Sequence, residues 1–426
     1  MLFPAILLAA PCVMEPIRIS VSNSGVEADG KSLLPIISRN SRYVLFNSTA
    51  TNLIPGATSG DWQVYLYDRK KKTLTLISKS ASGTPGNGSS FAGGISKSGR
   101  WVVFVSSATN LVSGDTNGKY DAFLVDTRKN TIELISKLPS GTQFNNDTLD
   151  AAISPSGKFI LLNTSATNVD PADTDTVRDI YLYNRRKKTF KLVSVSSAGV
   201  KGDKDSALSY NSFGGKRERF FVFDSKSSNL VSGNTNTNRS IYRYDRKKGE
   251  TILVSVDSSG NASLDDNSKP AISKNGRLVG FWSDGSLVPE DTNGKTDSYI
   301  RDMRRSRTTI VSLNKNGAPS DAYQVFRDMT PNARYISLAS AATDLVDDTV
   351  NGKTQVYLRK RRGNKTWLIS KNSSGDAGND TSNWGHLSAN GKWLAFNSDA
   401  TNLVTNDTNG VMDVFLVRTP VGRHCD

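Results

Sequence analysis

Cysteine and histidine are nearly absent from this chain, with two of each in 426 residues. So few cysteines exclude a disulfide-rich scaffold and a Cys-ligated structural zinc site. So few histidines argue against a multi-His metal centre or catalytic cluster. No apolar run approaches the roughly 18 residues that a membrane-spanning helix needs. Nucleophile-elbow, Walker and HExxH patterns are missing, and no stretch keeps a sustained helical period. What remains is an ordinary soluble composition, 36% hydrophobic and 22% charged, compatible with a packed core. The net charge of +14 favours anionic partners and speaks to association rather than to fold. Length alone suggests two or three domains, although large all-β folds run this long as one.

The first 14 residues, MLFPAILLAAPCVM, are the one long uncharged apolar segment. They resemble the apolar stretch of an export signal but lack a preceding Lys or Arg, and Pro11 spoils a lipoprotein cleavage box at Cys12. Export to the periplasm or exterior is the expectation from this segment, beside the plainer reading of an apolar tail packed on the domain.

Repetition organises everything after it. A phrase of Ser or Thr, two variable residues, a small residue, Arg or Lys, and an aromatic recurs as SRNSRY from Ser38, SKSGRW from Ser96, SPSGKF from Ser154 and SANGKW from Ser388. Diverged copies start at Ser212, Ser273 and Thr330, giving spacings of 58, 58, 58, 61, 57 and 58 residues. Such regularity marks a repeat architecture. Each anchor leads into an apolar run such as WVVF, with Phe46, Phe104, Leu162, Phe223, Phe281, Leu338 and Phe396 at its fourth position. Consecutive apolar residues suit a strand buried on both faces. A polar loop follows, then a strand carrying Tyr65, Phe123, Tyr181, Tyr242, Tyr299, Tyr357 or Phe415, a basic turn, and a strand ending in Ile-Ser or Val-Ser with Gly five residues on. Four short strands per unit, punctuated by Gly, Asn, Asp and Ser, predict a seven-bladed β-propeller of four-stranded antiparallel blades spanning 17–418.

The seventh unit stops after its third strand, at Val417, and the missing fourth copy stands at the start of the chain as Ile19-Ser20 with Gly25. The N-terminal strand is therefore expected to complete the last blade, removing two exposed edges. The same closure would bring Cys12 and Cys425 to one rim, where a bridge needs Cα atoms within about 7 Å. Residues 419–426 are left as a tail, and a monomer is expected.

The combination SxxGRWVVF, SSATNLVSGDTNG, DAFLVD and ELIS followed by Gly resembles the WD40-like repeat of TolB-type bacterial propellers over residues 17–418. That resemblance implies the propeller fold and, for function, a binding platform, with hydrolase-fused examples among such propellers. The additional α/β domain that TolB carries has no counterpart in these repeats, which argues against a role in the Tol–Pal system, and fold analogy does not decide activity.

Strand order sends the anchor turns and the basic turns to one face. There lie Lys70, Lys71 and Lys72; Arg185, Arg186, Lys187 and Lys188; Arg246, Lys247 and Lys248; Arg304 and Arg305; and Arg359, Arg361 and Arg362. This concentration makes one face strongly basic and leaves the remainder acidic. It reads either as solubilising turns on sheet edges or as a surface for a protein or polyanion, such as an envelope polymer or sulfated glycan. The turns hold almost no aromatics, so base-stacking nucleic-acid recognition is poorly supported.

On the other face, three loops read D-T-N-G-x-x-D: Asp115, Asn117 and Asp121; Asp291, Asn293 and Asp297; Asp407, Asn409 and Asp413. A fourth offers Asp173, Asp175 and Asp179. Alternating oxygens around a tight turn suit Ca²⁺, although the twelfth-position Glu of an EF-hand is missing. The plainer reading, which these loops favour, is an Asp/Asn-stabilised turn. His386, Asp150, Arg327 and Asp328 fall on segments that should line the central channel. They leave a lyase or hydrolase at the channel mouth as the alternative to a non-enzymatic binding scaffold. A lone histidine such as His386 reads first as a hydrogen-bonded structural residue.

Overall fold

A computed structural model describes residues 14–56 and 60–422. The two cysteines, His424 and all of the apolar leader except Met14 lie outside the described residues, and so does the expected bridge. Every element among the described residues is a β-strand. They form seven antiparallel sheets, four-stranded except where the innermost strand of blade 4 is split into two short pieces. Blade 1 runs through Ser32–Ile37, Tyr43–Ser48, Gln63–Asp68 and Thr73–Leu76, and the others repeat that order outward from the channel.

The repeated aromatics explain the blades. In register, Phe46 faces Tyr65, Phe104 faces Phe123, Phe223 faces Tyr242 and Phe396 faces Phe415. Their stacked rings lie 5.4–5.8 Å apart, and such pairs contribute about 0.5–1.5 kcal/mol beyond burial. Leu162 and Leu338 substitute opposite Tyr181 and Tyr357. These residues sit in the apolar clusters between neighbouring sheets, which is why both faces of the second and third strands are apolar.

The ring closes as the sequence predicts. Pro16, Ile17 and Arg18 pair with Val417, Leu416 and Phe415, and the Ile19 N–H donates to the Val414 carbonyl at 2.9 Å. Met14 is buried in the same cluster as Val417. Thr419 is also buried, donating to the Gly391 carbonyl, so residues 419–422 pack on the blade rather than trail from it.

The anchor phrase locks each blade to the next. A Cβ on Gly99 would lie 2.1 Å from the Tyr43 ring, and one on Gly157 would lie 2.6 Å from Trp101. Both glycines hold positive φ, +80° and +70°. The aromatic that ends one anchor therefore lies against the glycine of the following anchor, a contact that only a residue without Cβ permits.

One anchor differs from the reading above. The second strand of blade 4 begins at Phe220, the counterpart of Trp101 and Phe159, so its anchor turn starts at Gly215 rather than Ser212. The three extra residues lie before the turn, inside the innermost strand. They split it into Ser206–Ala207 and Phe213–Gly214 and push residues 208–212 into the channel.

Candidate functional site

The anchor arginines and the first cations of the basic turns are largely committed to the fold. Arg42, Arg100 and Arg219 form ion pairs with Asp68, Asp126 and Asp245 at 2.5–2.7 Å, and Arg277 pairs with Asp302. Arg69, Arg185 and Arg246 lie over the Trp393, Trp101 and Phe159 rings of the preceding blade at 4.2, 3.8 and 4.5 Å. Arg359 departs from its expected place on the surface. It is 3% exposed and donates to the Leu313 carbonyl and Thr366 Oγ1 at 2.8 Å, because it belongs to the strand Gln355–Lys360 and not to the turn. Lys70, Lys71, Lys72, Arg186, Lys187, Lys188, Lys247, Lys248, Arg304, Arg305 and Arg362 stand exposed, and Arg361 is half-buried. A cavity of about 560 Å³ on this face has Arg39, Lys158, Arg217, Arg246, Lys247 and Lys274 in its lining, with Glu218 as its acid.

The innermost strands shape the opposite mouth. In blades 1, 5 and 7 the pairing slips between Leu33 and Ile36, Ser268 and Ala271, and Asn383 and His386. At each slip a side-chain-bearing residue sits in the left-handed region: Leu34 at φ +56°, Lys269 at +55° and Trp384 at +54°. Each such conformation costs on the order of 1–3 kcal/mol, and strain of this kind clusters at binding sites. All three residues line a cavity of about 240 Å³, with Asp150, Tyr210, Arg327 and His386. The Arg327 guanidinium lies 4.6 Å from the Trp384 ring centre and the Lys269 ammonium 5.5 Å. Arg327 Nε has no hydrogen-bond partner, and burial lowers its pKa to about 10. Burial pushes the Asp150 carboxyl up to about 6, with Lys269 pulling the other way. Two cations and an indole thus converge on a partly dehydrated hollow.

Beneath it the blade 4 insertion crosses the channel. The Tyr210 ring meets His386 edge-on at 6.4 Å, and Asn211 Nδ2 donates to Asp328 Oδ1 at 2.5 Å. Asp328 also accepts the Met329 and Leu387 N–H groups at 2.6 and 2.7 Å. His386 Nδ1 accepts the Ile37 N–H at 3.3 Å, and burial lowers its pKa. Asp328 and His386 are therefore engaged in holding the plug. Only about 30 Å³ remains on its far side, room for about one water. Lys269, Trp384 and Tyr210 escaped the sequence reading. The 61-residue spacing was the signal for Tyr210, whereas nothing in the repeat foretells a left-handed lysine or tryptophan.

The D-T-N-G loops lie around the same face. Their last Asp opens the third strand and accepts the repeated Ser hydroxyl: Ser136 to Asp121 at 2.5 Å, Ser194 to Asp179 at 2.6 Å and Ser20 to Asp413 at 2.5 Å. Their middle residue closes an Asx turn, with Asn117, Asp175, Asn293 and Asn409 accepting the N–H two residues on. The first Asp is buried in three loops: Asp173 accepts the Tyr181 hydroxyl at 2.6 Å and Asp291 that of Tyr299, Asp115 occupies the equivalent place, and Asp407 has a shielded side chain on a partly exposed residue.

No protein-family profile matches the chain, and no curated sequence does. Solved structures of similar shape include an oligogalacturonate lyase from Vibrio parahaemolyticus, at 9% identity over 96% of this chain and 97% of that one, TM-score 0.55. The β-propeller domain of the Trilobed protease from Pyrococcus furiosus matches at 9% identity over 91% and 93%, TM-score 0.55. TolB from Acinetobacter baumannii matches at 14% identity with TM-score 0.42, over 79% of this chain and 62% of its own length. This chain therefore spans less than two thirds of that TolB. At these identities the likeness to the first two establishes the propeller fold and nothing of activity.

Proposed function

We propose that the protein is a non-enzymatic, exported binding scaffold for an acidic polymer, one acidic unit of which seats in the mouth formed by Arg327, Lys269 and Trp384. The observation that carries this reading is the backbone strain at Lys269 and Trp384, which turns a cation and an indole towards Arg327. Neither cation has a direct ion-pair partner among the described residues, although the Asp150 and Asp224 carboxyls act on Lys269 from further off. A flat sugar bearing a carboxylate or sulfate satisfies both halves of such a hollow, stacking on the ring while its anion meets the cations. The exposed lysines of the opposite face supply a second, sequence-indifferent attraction for a polyanion.

Calorimetry with heparin-derived and galacturonate oligosaccharides, against a neutral oligosaccharide, tests the site. Trp384→Ala and Arg327→Gln are each expected to weaken binding of the acidic ligand at least tenfold, about 1.4 kcal/mol. Replacing Lys70–Lys72 and Lys187–Lys188 by Gln should only lower the salt needed to elute the protein from heparin. Full affinity in both mouth variants would remove the site.

A lyase reading is favoured by one feature, the Asp150 carboxyl with its pKa near 6 beside the Lys269 ammonium. That pairing suits proton abstraction next to a neutralised carboxylate. The rise in ultraviolet absorbance of an unsaturated uronide, lost in Asp150→Asn, would replace the scaffold reading by this one.

A further inference from the structure

The seven blades are copies of one unit, so each serves as a control for the others at the D-T-N-G loops. In blade 3, where Asp173, Asp175 and Asp179 bring their oxygens close enough to share one metal ion, a side chain fills the centre. The Lys201 ammonium stands 2.9 Å from Asp175, 2.7 Å from Asp179 and 3.6 Å from Asp173. It also donates to the Gly202 carbonyl at 3.2 Å. In blade 7 the Arg18 guanidinium does the same, 3.1 Å from Asp407 and 3.3 Å from Asp413. In blade 6, where Gln355 replaces the last Asp, Lys371 reaches the remaining Asp348 at 2.6 Å. Three blades with a carboxylate at this place, buried in blades 3 and 7 and partly exposed in blade 6, have a positive charge tethered to it.

Blades 2 and 5 keep both carboxylates and have no such tether among the described residues. The position of Lys201 is Gln143 in blade 2 and Pro319 in blade 5, as the matching bridges Lys137–Gln143, Val195–Lys201 and Leu313–Pro319 show. The position of Lys371 is Leu313 in blade 5; in blade 2 it is Lys137, which is exposed. Gln143 is turned into its own loop, donating to the Gly114 carbonyl at 2.7 Å. The carboxylates are as buried as in the sister blades, Asp115 at 9%, Asp121 at 0%, Asp291 at 6% and Asp297 at 0% exposed. Asp121 Oδ2, Asp291 Oδ1 and both oxygens of Asp297 lack a hydrogen bond of good geometry. A pair of buried anions without a counter-charge is unfavourable by several kcal/mol. Either a proton or a free cation must therefore stand where Lys201 and Arg18 stand elsewhere.

We propose that blades 2 and 5 each bind a divalent cation of the calcium type, held by Asp115 and Asp121 in one and by Asp291 and Asp297 in the other. The donors are all oxygen, which selects a hard cation over zinc or copper. The backbone carbonyls equivalent to that of Gly202 are Phe144 and Ser320, each already accepting one Asn amide at 3.1 Å and each retaining a second lone pair. With two carboxylates and water completing the shell, affinity belongs in the weak range of extracellular modules, about 10⁻⁴–10⁻³ M.

Equilibrium dialysis of the full chain against radioactive calcium at pH 7.5, with melting followed in parallel, reads the number of sites. The wild type should bind two ions and melt higher with calcium. Asp297→Asn and Gln143→Lys should each bind one, the second because it gives blade 2 the tethered charge of blade 3. Lys201→Gln should bind three, a gain that damage to the fold cannot produce. Absence of bound calcium in both wild type and Lys201→Gln, or two ions retained in Asp297→Asn, would overturn the proposal and leave a proton as the neutralising species.

Discussion

Gly157 holds φ at +70° with the Trp101 indole where a Cβ would be, whereas Gly83 holds +96° beside open space. Both belong to positions repeated in the sequence, yet they are required for different reasons. At Gly83 only the backbone conformation matters, so Gly83→Ala should cost about 1 kcal/mol. At Gly157 the same conformational cost combines with displacement of an indole under Arg185, whose Nε also donates to the Gly157 carbonyl at 2.7 Å. Gly157→Ala should lose roughly 2–4 kcal/mol. Denaturant midpoints of the two variants give the comparison; equal losses would mean that the aromatic lock contributes nothing. The anchor glycine was legible as a repeated residue. Its partner was not, because the aromatic belongs to another copy 58 residues earlier and meets it only when blades stack.

At the scale of strands, two short segments decide the architecture. Pro16–Arg18 spans three residues, but with Ile19 it covers the edge of Asp413–Arg418 and joins the first described strand to the last. Ile19 is fully buried, so Ile19→Asp places an unpaired charge in the closing blade. A loss of at least about 3 kcal/mol is expected, together with self-association through the uncovered edge. Size-exclusion chromatography and melting read both; an unaffected monomer would show that the ring holds without its clasp. This clasp was readable from the sequence, because a unit lacking one strand and a lone copy of that strand at the other end have a single closed solution. The second segment, residues 208–212, was readable only as three surplus residues. Its placement in the innermost strand follows from space, since that strand faces the channel and an insertion there meets no neighbouring sheet.

For the molecule as a whole, carboxylates divide into two sets that pull stability in opposite directions with pH. Burial raises Asp121, Asp150, Asp179, Asp224, Asp297 and Asp407 to about 6, against an ordinary 3.8. Between those values the folded state binds more protons than the unfolded one, so stability falls as pH rises through this window. Asp302, held by Arg277 at about 2, and Asp126, lowered by Arg100, behave oppositely. Their contribution is present above about pH 4 and is lost as pH drops further. The buried, neutral His386 works against folding as pH falls below its ordinary 6.5. With six groups against one in the upper window, the melting temperature without divalent ions should rise from pH 7.5 to about 5 and fall below about 4. Calcium should lift the neutral end of that curve selectively. A flat profile from pH 5 to 8 would mean that the raised carboxylates are already neutralised by other means.

Repetition and residue type by themselves determined the seven blades, the recurring aromatic positions and the closing strand. Each of these depends on local spacing and on burial that every copy shares. Only the tertiary structure decided which charges remain free. Arg359, Arg185 and Lys201 look in sequence like any surface cation, yet one enters the sheet, one covers an indole and one stands among three carboxylates. The mouth of Lys269, Arg327 and Trp384 likewise exists because three blades converge on one axis. A charge is satisfied by what lies within a few ångströms, and in a ring of blades those neighbours come from other copies of the repeat.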